Sequence, residues 1–209
     1  CARALAEGRV PGAAAELARH ARAGHDLVTA VRASVEAGED AMRLGGPDEA
    51  AGHFLTALDL LSAPGVADGV DVDRVGLVLQ AADALVTGGH PTKALALLHE
   101  EVGEVGAASE PPARHTPEQR AELLVALSSA VLLVDTHRVS ALAASAEALD
   151  LLRDQRTPLR VRALTEHARS NADRGRFEEA TRLGQEAHDL ADELGLTRLR
   201  SSAATLLGR

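Results

Sequence analysis

Phe177, Ala180, Gly184, Ala187, Ala191 and Leu194 follow one another in steps of three, four, three, four and three, with charged or polar residues in most of the gaps. A 3.6-residue period puts all six on one side of a helix, so residues 176–194 are predicted to be amphipathic and helical. Gly24, Gly45, Gly88, Gly175 and Gly195 stand where helices close, because glycine accepts the left-handed conformation of a C-terminal cap. Pro47, Pro91, Pro117 and Pro158 stand where helices open, since a first-turn residue has no intrahelical N–H bond to lose. Thr116 with Gln119 fits a reciprocal capping box, and Thr157 fits an N-cap. Stripes and punctuation together predict ten helices, near 12–23, 26–44, 47–62, 73–87, 91–105, 117–134, 138–154, 158–174, 176–194 and 197–207.

The pattern repeats. Ala50, Phe54 and Ala57, spaced by four and three, reappear as Ala30, Ser34, Ala37, as Ala141, Ser145, Ala148 and as Ala180, Gly184, Ala187, with a weaker copy at Ala94, Leu98, Glu101. Small residues at two of the three places let a neighbouring helix approach closely, so Ala50, Phe54, Ala57, Ala94, Ala141, Ala148, Phe177, Ala180 and Ala187 are predicted packing positions. The markers Ala50, Ala94, Ala141 and Ala180 lie 44, 47 and 39 residues apart, the spacing of helix-hairpin repeats with long helices. The polar connections at 63–73 and 106–117 read as joints between hairpins, and residues 1–209 as one helical-repeat domain.

Composition narrows the fold further. Of 209 residues 45% are hydrophobic, but Phe54 and Phe177 are the only aromatics among Phe, Tyr and Trp. Alanine and leucine favour helices and no alternating strand pattern occurs, so the fold class is all-α, built of antiparallel helix hairpins, with both phenylalanines expected in the core. A formal charge of −9 argues against direct nucleic-acid contact, which needs Lys and Arg to neutralise phosphates. The twelve-residue uncharged run 123–134 is too short to span a bilayer, and no signal-peptide pattern opens the chain. Cys1 is the only cysteine, which precludes an internal disulfide and suits a reducing, cytoplasmic setting. The sole methionine is Met42, and the sequence is expected to be a piece of a longer protein. Arginine dominates lysine, which is found only at Lys93, an imbalance pointing to a GC-rich bacterial genome.

No catalytic or cofactor constellation emerges. Lys93 stands in TGGHPTKAL, which lacks the spacing of a phosphate-binding loop. HEEVG at 99–103 begins like a zinc-protease helix but has Gly103 at the second ligand position, and the other histidines lack ligand spacing, so they are read as structural or solvated. Ser128 and Ser129 are expected to bond back within their own helix. Glu100/Glu101 and Glu178/Glu179 are read as solvated surface. The chain is therefore expected to be no enzyme and to carry no cofactor or metal. One charged stripe has partner-binding potential: Arg162, Glu166, Arg169 and Asp173 share a face of helix 158–174, although a ladder of i, i+4 and i, i+3 ion pairs is the simpler account of them.

Two resemblances follow from these motifs. Gly46, Ala50, Phe54 and Ala57 resemble the second half of a tetratricopeptide repeat, and Gly175, Ala180 and Ala187 are similar with a turn one residue longer, while the aromatic first-helix pattern is absent. The likeness implies hairpins stacked in a right-handed superhelix. Residues 14–61, through LARH, AG-D and A-RLG-P-EA, resemble the helical region of large ATP-binding LuxR-type transcription regulators, a group of bacterial signal-transduction ATPases. That resemblance implies a non-catalytic sensor and coupling arm between an ATPase domain and a DNA-binding domain, with ATP and DNA bound elsewhere in the parent chain. Its partners would be proteins, either other domains of that chain or a peptide, together with a small-molecule inducer in some arrangements. A small-molecule sensor domain and a free-standing adaptor are the alternatives.

Overall fold

A computed structural model describes residues 12–103, 105, 115–134, 138–206 and 208. Within them the chain forms ten α-helices: α1 (Ala13–Ala23), α2 (Leu27–Arg43), α3 (Pro47–Leu61), α4 (Arg74–Thr87), α5 (Pro91–Val102), α6 (Pro117–Val134), α7 (Arg138–Leu151), α8 (Pro158–Ala172), α9 (Phe177–Glu193) and α10 (Thr197–Leu206). A 3₁₀ turn, Ala67–Gly69, lies in the connection expected to be irregular. Two predicted helices end early. Gly103 turns left-handed (φ 71°) just after α5, and the carbonyls of Leu152 and Arg153, beyond α7, accept hydrogen bonds from Arg160.

The hairpin turns share one construction. After α2, Gly46 N–H reaches back to Ala41 O (2.9 Å) and Gly45 N–H to Met42 O (3.1 Å), the paired bonds of a Schellman motif. The same pair closes α1 at residues 24–26, α4 at 88–90, α8 at 174–176 and α9 at 194–196. The predicted glycine is not always the left-handed residue: after α1 it is His25 (φ 58°) and not Gly24 that turns, and after α4 it is Gly89 and not Gly88. Thr116 and Gln119 form the predicted capping box, N–H to side chain at 3.0 and 3.2 Å, and Thr157 accepts from Arg160 N–H at 3.3 Å.

The chain divides into two compact units, Cys1–Ala94 and Leu95–Arg209. In the first, α1 packs on α2, α2 on α3 and α3 on α4. Ala50, Phe54 and Ala57 are buried there, as is Ala94, and Phe54 lies so close to α2 that a methyl group on Gly38 would sit 2.4 Å from its ring. In the second, successive helices α6 to α10 pack in order, and α8 also touches α6 and α10 directly. Val161, Leu164, Ala168, Leu183, Ala187, Leu190, Ala191 and Ala203 form its apolar cluster, while Ala141 and Ala148 are buried on α7.

Phe177 departs from expectation. It is 68% exposed, and Ala180 is only half-buried. The stripe on α9 becomes a buried face only from Leu183 onward. Periodicity fixes the side of a helix; it does not say whether a neighbour reaches far enough to cover the first turn, and Phe177 opens α9 whereas Phe54 sits in the middle of α3.

Candidate functional site

Two concave regions, one in each unit, present side chains to solvent. In the first unit α2 begins at Asp26, whose carboxylate accepts from Thr29 N–H (3.1 Å) and is held below the usual carboxylate range by hydrogen bonds from the Thr29 side chain and backbone. Its apolar face turns inward through Ala30, Val31, Ala33, Ala37 and Ala41, which leaves Arg32, Glu36, Glu39 and Arg43 exposed. On α4, capped by Asp73 at Val75 N–H (3.1 Å), burial of Leu77, Val78, Ala81 and Ala84 likewise leaves Gln80 and Asp83 exposed.

Between these helices lies a groove of about 410 Å³ lined by Glu39, Met42, Arg43, Gln80 and Asp83, with Phe54 at its base. A second hollow of about 380 Å³ continues along α2 past Glu36 and Arg32 to Val72, sharing Glu39 and Arg43 with the first. The cations in this region are engaged: Arg43 pairs with Asp40, and Arg32 donates to Gly69 O at 3.4 Å. Glu39 and Asp83 have no ion-pair partner among the described residues.

The second unit holds a larger cleft, about 760 Å³, between the turn after α7 and the outer side of α9. Each of its four arginines, Arg153, Arg156, Arg160 and Arg182, is ion-paired with a carboxylate. Arg160 donates to Leu152 O (2.8 Å) and to Glu186 (3.0 Å); Arg182 grips Glu179 with two bonds (2.6 and 3.0 Å), and Arg156 pairs with Glu193. Gln185 donates to Asp189 at 2.7 Å. This cleft is an ion-pair lattice joining α8 to α9, with Arg160 also satisfying carbonyls past the end of α7.

Buried polar groups correct two sequence expectations. Glu101, read as solvated, is 6% exposed and lies 3.0 Å from His115 Nε2, while Arg120 Nε donates to Glu147 (2.7 Å) and its Nη1 to Val102 O (3.2 Å). Burying a carboxylate requires such partners. The signal available in the sequence was weak, because His115 is separated from Glu101 by a long connection. Ser128 bonds not within α6 but across to Ala141 O of α7 (3.1 Å), and lies 3.4 Å from Ser170. Ser145 donates to Ala141 O (2.9 Å) and meets His167 Nδ1 at 2.9 Å.

The charged stripe of α8 is only partly a surface. Glu166 is mostly covered, and burial raises its pKa against the opposing pull of Arg169 and Arg162. Arg169 contacts both of its oxygens (3.2 and 3.3 Å), while Arg162 and Asp173 are exposed on either side. Among the described residues no group of three or more metal-ligating side chains occurs, and no helix is long and apolar enough to cross a membrane.

No protein-family model matches the chain, and no curated protein matches it. Solved structures do. A Podosopora anserina kinesin light chain candidate with nearly identical TPR-like repeats superposes at a TM-score of 0.60 and 16% identity, covering 85% of this chain and 87% of that one. MamA superposes at 0.51 and 16% identity, covering 82% of this chain and 94% of that one. The fold is that of TPR-like helical repeats.

Proposed function

We propose that the chain is a non-catalytic protein-interaction domain, and that the groove between α2 and α4 receives a segment of its partner. The observation that carries this reading is the groove itself: exposed polar walls from two helices over the half-buried Met42, with Phe54 buried beneath it. Apolar bases with polar rims are the usual anatomy of protein interfaces. An open, charge-lined hollow suits a polypeptide better than an enclosed small molecule, which favours the interaction reading over an inducer pocket.

The wider setting we propose is the sensor and coupling arm of a cytoplasmic, ATP-dependent LuxR-type regulator, supported by the likeness of residues 14–61. A partner that binds one arrangement of such a regulator better than another would shift its population. The α8 stripe, Arg162, Glu166, Arg169 and Asp173, is kept as a second contact surface, supported by the exposure of Arg162 and Asp173.

A photo-crosslinking residue at Gln80 tests the groove in cells that express the parent protein. Crosslinks to a discrete protein from Gln80, and none from Asp59 on the exposed side of α3, are expected; equal yields from both positions would reject the site. Sequencing the parent reading frame tests the setting, which requires a Gly-x4-Gly-Lys-Ser/Thr loop upstream and a helix-turn-helix region downstream. Partner binding unchanged by Arg169→Glu would remove the α8 stripe from the interface.

A further inference from the structure

The α2/α4 groove carries a charge preference that the fold does not dictate. Its side chains and those of the adjoining hollow include four acids, Glu36, Glu39, Asp40 and Asp83, and two bases, Arg32 and Arg43. Arg43 is ion-paired with Asp40, while Arg32 donates to the Gly69 carbonyl at 3.4 Å and keeps its charge, so the acids exceed the bases by two. Glu36, Glu39 and Asp83 have no ion-pair partner among the described residues, and the last two flank the half-buried Met42, beneath which Phe54 is buried. The cleft of the second unit is the internal control, since its lining holds four arginines, Arg153, Arg156, Arg160 and Arg182, each of them ion-paired, and an equal number of acids.

Resting on the reading that this groove binds a partner, we propose that it selects a cationic segment of another polypeptide, in which a lysine or arginine lies beside an aliphatic residue. A long basic side chain suits both features. Its methylenes can lie along Met42 while its head reaches Glu39 and Asp83, as amphipathic side chains do at apolar surfaces with charged rims. Charge complementarity of this kind sets partner choice and association rate, and like-charged segments are repelled.

The test pans a phage-displayed library of randomised nonapeptides on the full chain, then measures synthetic copies of the enriched peptides by fluorescence anisotropy. Enrichment of net-positive peptides with Lys or Arg next to Leu, Ile or Met is expected, with affinity falling as salt rises. Both Glu39→Lys and Asp83→Lys should weaken these peptides roughly tenfold, and Glu39→Gln and Asp83→Asn by less. Circular dichroism checks that the exposed substitutions leave the helices intact. Gln80→Trp, which obstructs the groove without changing its charge, separates the two ideas. Neutral or acidic peptides that bind the wild type and are lost in Gln80→Trp would overturn the charge preference and leave the groove reading standing. Basic peptides indifferent to Glu39→Lys, Asp83→Lys and Gln80→Trp, or no enrichment at all, would overturn both.

Discussion

The two units solve the same packing problem with different chemistry, and the middle position of the repeated cassette shows how. In α3 that position is Phe54, 1% exposed, pressed against the bare backbone of Gly38 on α2. In α7 it is Ser145, fully buried, with a hydroxyl that holds Ala141 O and His167 together. The flanking alanines, Ala50 and Ala57 in one case and Ala141 and Ala148 in the other, are equally buried. Close helix approach is therefore set by the alanines, while the central residue decides whether the seam is filled by volume or by hydrogen bonds.

The strongest way to break the comparison is at Phe54. Truncation to alanine removes a ring that nothing nearby is shaped to replace, and should cost about 3–5 kcal/mol in urea unfolding. Gly38→Ala attacks the same contact from the other side by overpacking, for about 1–3 kcal/mol. If Phe54 and Gly38 form one unit, Gly38→Ala combined with Phe54→Leu should cost less than the sum of the two single changes. Additive losses would mean that the close approach is incidental.

Ser145→Ala comes next. It keeps the small volume of the site but leaves His167 Nδ1 without its hydroxyl partner, for an expected loss of about 1–3 kcal/mol. A value near zero would show that the seam is held by the alanines alone. His167 adds a pH signature. Burial lowers its pKa from 6.5, with Glu179 pulling the other way and Arg182 and Arg176 reinforcing it. The folded state thus prefers neutral imidazole. Its contribution is full above the ordinary imidazole value and is lost as pH falls through the lower native pKa. His167→Gln should flatten that part of the stability curve, and an unchanged slope would contradict the assignment.

The architecture was legible in the sequence and its polar interior was not. Helix ends could be read because Pro47, Pro91 and Thr157 act on their own first turns, and Gly45 and Gly195 on their own last turns, all through local backbone chemistry. Phe177 shows the limit: its place in the stripe is local information, whereas its cover depends on where another helix stops. The Glu101–His115 and Ser128–Ala141 contacts join residues far apart in sequence, and no spacing rule anticipates them. The groove falls between these cases. Its acids could be seen on predicted helices, but pairing Glu39 with Asp83 across one hollow required the packing of α2, α3 and α4.

Ser34 gives the smallest effect and the finest test of the comparison. It occupies the same cassette position as Ser145, on α2, and it too is fully buried, yet its hydroxyl has no hydrogen-bond partner among the described residues. A buried hydroxyl that gives up water without gaining a partner opposes folding, whereas one that bridges two helices supports it. Ser34→Ala should therefore raise stability by about 0.5–1 kcal/mol, opposite in sign to Ser145→Ala although the substitution is the same. Equal losses at the two sites would mean that Ser34 also bonds in solution, and that hydroxyl seams belong to both units.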